Sequence, residues 1–218
     1  DGTAGTGKIN LASIAGNITH AATGGFLANK VTFDGNLTTA GNQTVTTSGL
    51  TIGSSTDTTQ VKGDGVRLTD PTGTWSVTSL NVFNDTGTGV LVNTKGGGTT
   101  FTLNTSGGTI HTTNGTAMNL DPLTVAMSLT SVESDTAPGN GIKLDTVNGA
   151  LTIGTTILKD GVGTPLVIQN TPSALNTKFG NTTIKSTISS LQADNINTAT
   201  NNGTNLTISF TSLSITGP

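Results

Sequence analysis

A six-residue pattern recurs along this chain: GDGVRL at 63, GTGVLV at 87, GTAMNL at 115, GNGIKL at 139 and GTPLVI at 163, at spacings of 24, 28, 24 and 24 residues. Each copy is a Gly, a spacer, a small or turn-forming residue, then apolar-x-apolar. A unit this short cannot bury its own apolar face, so successive copies must cover one another. Behind each anchor sits a second alternating run: TWSV at 74, TFTL at 100, AMSL at 126, ALTI at 150 and ALNT at 174. In the 28-residue unit this run arrives two residues late, after KGGG. A third, looser apolar run takes in Leu80 and Val82, Ile110, Val132, Ile157 and Phe179.

Alternation of apolar and polar residues over four to six positions is the strand period, with one face buried. Helical spacing is sustained nowhere, and abundant Gly, Asn and Thr oppose helix. The repeat is too short for a propeller blade and lacks the leucine-rich signature. Three strands and three turns fill 24 residues. The expected fold class is all-β: a right-handed parallel β-helix of about 24 residues per coil with three short strands per coil, the hand following the commonest such solenoids. Stacking anchors predicts one inside column of Val66, Val90, Met118, Ile142 and Leu166, and beside it Leu68, Val92, Leu120, Leu144 and Ile168. A second wall reads Trp75, Phe101, Met127, Leu151 and Leu175, with Val77, Leu103, Leu129, Ile153 and Thr177. Gly139 and Gly163 are expected at one sharp corner of successive coils. The whole of 1–218 reads as a single domain, with less regular coils over 1–62, regular coils over 63–188 and a C-terminal coil over 189–218. Eight or nine coils would make a rod of roughly 40 Å.

Composition narrows the function. Charged residues are 10% and aromatics 3%, with no Tyr, and Thr is the commonest residue. Regularly spaced Val, Ile, Leu and Phe argue against disorder. Net charge is −3, and eight Lys with the single Arg67 are scattered, so nucleic acid is not an expected partner. No apolar run is long enough to span a membrane. Cysteine is absent, which removes disulfides and Cys-based zinc sites. The chain has no initiating Met and opens in mid-pattern, as a piece of something longer would. Asn-x-Ser/Thr triplets begin at Asn17, Asn36, Asn42, Asn84, Asn104, Asn114, Asn181, Asn202 and Asn205. A chain so rich in Asn and Thr produces them by chance, and no glycan is expected on them.

Chemistry-bearing residues are few. Asp70, Asp121 and Asp145 fall near one offset after their anchors, and Asp121 and Asp145 belong to adjacent coils, so their carboxyls could approach the ~5 Å of a retaining glycosidase. Asp85, Asp135 and Asp160 form a second set, before the following anchor. The bland reading is favoured: Asp beside a strand end forms turns by bonding its own backbone. A sugar site also needs aromatic platforms, and Trp75 is claimed by the core. Arg67 shares a coil with Asp70 but stands alone. Stacked Asp could contribute oxygens to Ca²⁺, which wants six to eight. His20 and His111 show no metal-ligand spacing and are expected to be solvated. GTAGTGK at 2–8 lacks the Gly-Lys-Ser/Thr ending of a phosphate loop. An ice-binding plane needs two Thr columns in register; the columns read Ser76, Thr102, Ser128, Thr152, Asn176 and Thr74, Thr100, Ala126, Ala150, Ala174, so only one is hydroxylated. No catalytic, cofactor-binding or metal-ligating residue is assigned.

The G-x-G-apolar-x-apolar anchors, the ALTI-like runs, the Asn-Gly and Asp-Gly turns and the Thr-rich outer faces together resemble bacterial surface repeat proteins. The families are the filamentous-haemagglutinin-like and autotransporter-passenger-like adhesins, over residues 63–180 best. The resemblance implies a non-enzymatic extracellular or cell-surface scaffold or adhesin, contacting surface glycans or a host surface. Neither end reads as a cap, so the expected partners are flanking β-helical repeats or further copies stacked end to end. The loops at Lys95–Gly98 and Ala199–Thr204 are the expected contact points. The competing class is a carbohydrate-active β-helix, a polysaccharide lyase or hydrolase or a binding module.

Overall fold

A computed structural model describes residues 18–20, 24–33, 37–58, 61–93, 101–170, 175–186, 191–194 and 207–216. Its strands are β1 (Ile18–His20), β2 (Gly24–Phe33), β3 (Leu37–Ile52), β4 (Val66–Val77), β5 (Leu80–Asn93), β6 (Phe101–Thr105), β7 (Thr109–Asp121), β8 (Leu123–Ser134), β9 (Ile142–Asp145), β10 (Val147–Gly161), β11 (Leu166–Gln169), β12 (Leu175–Ser186), β13 (Leu191–Asp194) and β14 (Thr207–Thr216). They form one sheet. Every pairing between these strands is parallel. A strand that lies parallel to its own continuation has travelled a full circuit, so the chain is a β-solenoid. Among the described residues no helix is long and apolar enough to cross a membrane.

The first wall matches its expected register. Val66 pairs with Val90, Val90 with Met118, Met118 with Ile142, Ile142 with Leu166, and Leu166 with Leu191. These are five turns of 24, 28, 24, 24 and 25 residues. Leu68, Val92, Leu120, Leu144 and Ile168 form the neighbouring column, and all are fully buried. The three short strands per coil are three walls whose ladders continue round corners, so β5 and β10 run for 14 and 15 residues.

The second wall is offset from expectation. Met127 over Leu151 and Leu129 over Ile153 hold. Trp75, however, pairs with Leu103 rather than Phe101, Leu103 with Val125, Leu151 with Thr177 and Ile153 with Phe179. The corner between the first two walls takes up the variation. A slip of two residues returns every side chain to its own face, so alternation alone cannot detect it. The third wall is corrected likewise. Val82 pairs with Ile110, Ile110 with Val132, Val132 with Thr156, and Thr156 with Thr182. Ile157 therefore points away from this column, and Phe179 belongs to the second wall, where its ring stacks on Phe210 at 5.3 Å.

The interior is one continuous cluster, with Trp75, Phe101 and Phe179 its largest side chains. Full burial of each Val, Leu or Ile side chain contributes about 1.5–3 kcal/mol relative to leaving it exposed to water. Covering by the coil above and below is what makes that burial complete. The recurring anchor Gly has a cause other than the expected bend. A Cβ on Gly87 would lie 2.5 Å from the backbone of Gly63, one on Gly115 2.0 Å from Gly87 O, and one on Gly163 2.6 Å from Gly139. At these three positions the backbone beneath lies too close for any side chain, whereas a Cβ on Gly139 would meet nothing within 4 Å; only Gly63 and Gly87 of this column have left-handed φ.

Candidate functional site

Three groups of polar side chains stand out on the walls. The first is a corner column in which Thr69 pairs with Asn93, Asn93 with Asp121, and Asp145 with Gln169. Leu120 over Leu144 sets Asp121 and Asp145 on neighbouring rungs, as their spacing suggests. Asp70 lies one residue past this column. It has a φ of 47°, as Thr146 and Asn170 have 57° and 53°, so these residues turn the corner. Asp145 is almost fully buried and accepts hydrogen bonds from Gln169 Nε2 at 2.7 Å and Asn170 Nδ2 at 2.8 Å, with Lys143 Nζ 2.9 Å away. Burial pushes its carboxyl up, but the hydrogen bonds from Asn170, Lys143 and Gln169 outweigh this and hold it below the usual range. Burial, and then the negative charge of Asp145, push Asp121 above the usual range.

The second group lies on the outer face of the third wall. His111 pairs in register with Glu133. His111 Nε2 lies 3.6 Å from Asp135 and 3.9 Å from Glu133, and the imidazole is only 25% exposed. It is therefore not solvated as the sequence suggests. Lys159 Nζ lies 2.9 Å from both carboxylates, though off the line of a hydrogen bond to Asp135 Oδ1. These two acids, Asp135 first, raise the ammonium above its ordinary range. One ligand atom from each of His111, Glu133 and Asp135 falls within 4.8 Å of the others, which is metal-ligand proximity. Lys159 already stands against both carboxylates as their counter-cation. The signal in the sequence was coil-length spacing: Glu133 and Asp135 follow His111 by one circuit.

The third group joins three successive coils. Lys62 and Asn114 both donate to the Asp85 carboxylate. The hydrogen bond from Lys62, then that from Asn114, hold Asp85 below the usual range. Asn84, next to it, is fully buried and braces the wall by donating to Gly63 O at 3.2 Å and Thr86 O at 2.9 Å while accepting from Thr112. Its sequon is thus closed to a glycan. Asp160, grouped with Asp85 and Asp135 by sequence, sits at a register shift with φ 52° and pairs with Lys185 at 2.8 Å.

Other candidates disperse. Trp75 is 2% exposed and offers no platform to a sugar. An open depression lined by Ser76, Thr78, Asn104, Ser106 and Ala126 contains neither Asp121 nor Asp145. The Thr columns also shift: Thr74, Thr102 and Thr124 align, while Ser76, Asn104, Ala126 and Ala150 form the neighbour. Two hydroxylated columns do not run side by side there. GTAGTGK and the loops Lys95–Gly98 and Ala199–Thr204 lie outside the described residues, as does the side chain of His20. Comparison with family models, with curated proteins and with solved structures finds no match.

Proposed function

We propose that this chain is an extracellular structural or adhesive scaffold: a rigid rod whose outer faces carry the contacts and whose copies stack end to end. The observation that carries the reading is the destination of the charged side chains. Lys62, Lys143, Lys159 and Lys185 each bind an acid of this same chain. Three of these lysines staple neighbouring coils, Lys143 pairs within its own strand, and few groups are left aimed at a substrate. The likeness in composition and repeat to bacterial surface adhesins supports a place outside the cell.

One observation favours a carbohydrate-active alternative. Asp121 and Asp145 are neighbours pushed in opposite directions, the pattern of an acid paired with an ionised partner. Against it, the Asp145 oxygens are occupied by Gln169, Asn170 and Lys143. The test is a panel of polysaccharides assayed with the native protein, Asp121→Asn and Asp145→Asn. A scaffold releases no product in any of the three. Native turnover that disappears in either variant would replace the scaffold with an enzyme.

A further inference from the structure

The outer face of the third wall carries a donor set that hydrogen bonding does not use up. His111 and Glu133 lie in register on adjacent coils, and Asp135 continues that ladder by donating its N–H to Thr112 O at 3.1 Å. Asp135 is two residues beyond Glu133, which returns its side chain to the same face. His111 Nε2 has no access to solvent and no hydrogen-bond partner among the described residues. A buried polar atom left in this state is costly and calls for an explanation. The carboxylate oxygens nearest to it, Asp135 Oδ2 at 3.6 Å and Glu133 Oε2 at 3.9 Å, are beyond hydrogen-bond reach. They are instead close to the separation, about 3.4–3.6 Å, of two ligands held by one four-coordinate ion at bonds of about 2.1 Å.

Lys159 does not take these oxygens. Its ammonium lies against Glu133 Oε1 and Asp135 Oδ1, the other oxygen of each carboxylate. It thereby orients both groups, as outer contacts orient the carboxylates of metal sites. Two carboxylates and one ammonium leave one negative charge beside the imidazole.

We propose that His111 Nε2, Glu133 Oε2 and Asp135 Oδ2 bind a first-row divalent transition ion of the Zn²⁺ type, which pins two successive coils together. One imidazole nitrogen with two carboxylate oxygens suits such an ion and not Ca²⁺, which takes six to eight oxygens. Three protein ligands leave a position open to water or to a donor from outside the chain. All three side chains are partly exposed, so an ion can enter from solvent. The site lies apart from Asp121 and Asp145 and stands whether the rod is a scaffold or an enzyme.

Zn²⁺ alone is the probe, titrated calorimetrically into the untagged chain after dialysis against a chelator. Competing sites are few, because the chain has no cysteine and His20 is its other histidine. One ion should bind per chain. His111→Gln, Glu133→Gln and Asp135→Asn should each weaken binding by at least about tenfold, while His20→Gln should bind as the native chain does. Excess Ca²⁺ should not compete. Saturation should move the ring resonances of His111 and leave those of His20 in place. Urea unfolding in chelator separates a lost ligand from a lost fold: there His111→Gln should be no less stable than the native chain. With Zn²⁺ added, the native chain should gain stability that grows with ion concentration, and His111→Gln should not. Absence of Zn²⁺ binding, which would leave the gap beside Nε2 to a water, overturns the site. Binding that survives in His111→Gln, or that Ca²⁺ displaces, overturns it equally.

Discussion

Replacing Gly115 with Ala probes how closely the coils stack. Gly115 lies on Gly87, and a Cβ there would stand 2.0 Å from Gly87 O and 2.8 Å from Thr112 Cγ2. An ordinary carbon–oxygen contact is about 3.3 Å, so the rungs must part by about 1.3 Å. The obstructing atom is backbone and cannot rotate aside. Overpacking of this kind costs about 1–3 kcal/mol, and a weakened ladder bond adds about 1 kcal/mol. The expected loss is about 2–4 kcal/mol. Gly139 is the control in the same column: a Cβ there meets nothing within 4 Å. Neither position has a left-handed φ, so the comparison isolates contact from backbone strain. Gly139→Ala should be neutral or more stable by up to about 1 kcal/mol, through the unfolded chain. Urea unfolding followed by the fluorescence of the single, buried Trp75 reads both. Gly115→Ala should lower the midpoint with its slope unchanged. Equal midpoints for the two variants would refute close stacking as the reason for the glycine column.

Three more outcomes follow from the same contacts. Thr156 and Thr182 stack as buried hydroxyls whose Oγ1 has no hydrogen-bond partner; Thr156→Val should raise stability by about 1 kcal/mol in the same urea assay, since it removes an unsatisfied polar atom. Asp85 is held below the usual carboxylate range by Lys62 and Asn114. Its contribution is present above its unfolded value, about 3.9, and is lost as pH falls through the folded value, so Asp85→Asn should flatten the acid limb of melting temperature against pH. Asp121 is raised instead, so its charge opposes folding at neutral pH and the penalty fades as pH falls through its folded value. Asp121→Asn should therefore melt higher than the native protein near pH 7 and converge with it in acid.

The sequence revealed the first wall in full because its anchors carry an aperiodic mark. A Gly three residues before the first apolar residue fixes which Val, Ile or Leu is which. The second wall has no such mark. Its runs alternate apolar and polar residues only, so Trp75 could be set on Phe101 or on Leu103 with equal sense, and the corner length decided for Leu103. Thr156 was hidden in the third wall because a buried Thr between Val132 and Thr182 breaks the apolar rule that locates columns. The Asp121–Asp145 neighbourhood was legible from the 24-residue spacing. The His111–Glu133–Asp135–Lys159 network was not, because its members match only when offsets are taken modulo one coil, and that arithmetic depends on corners whose lengths vary.

The central claim is that successive coils lie on one another with anchors in register. Methyl–methyl nuclear Overhauser contacts in solution test it most directly. A stacked solenoid requires Ile142 to contact both Met118 and Leu166, and Val90 to contact both Val66 and Met118. A spectrum in which Ile142 touches neither Met118 nor Leu166, with antiparallel backbone contacts in their place, would contradict it.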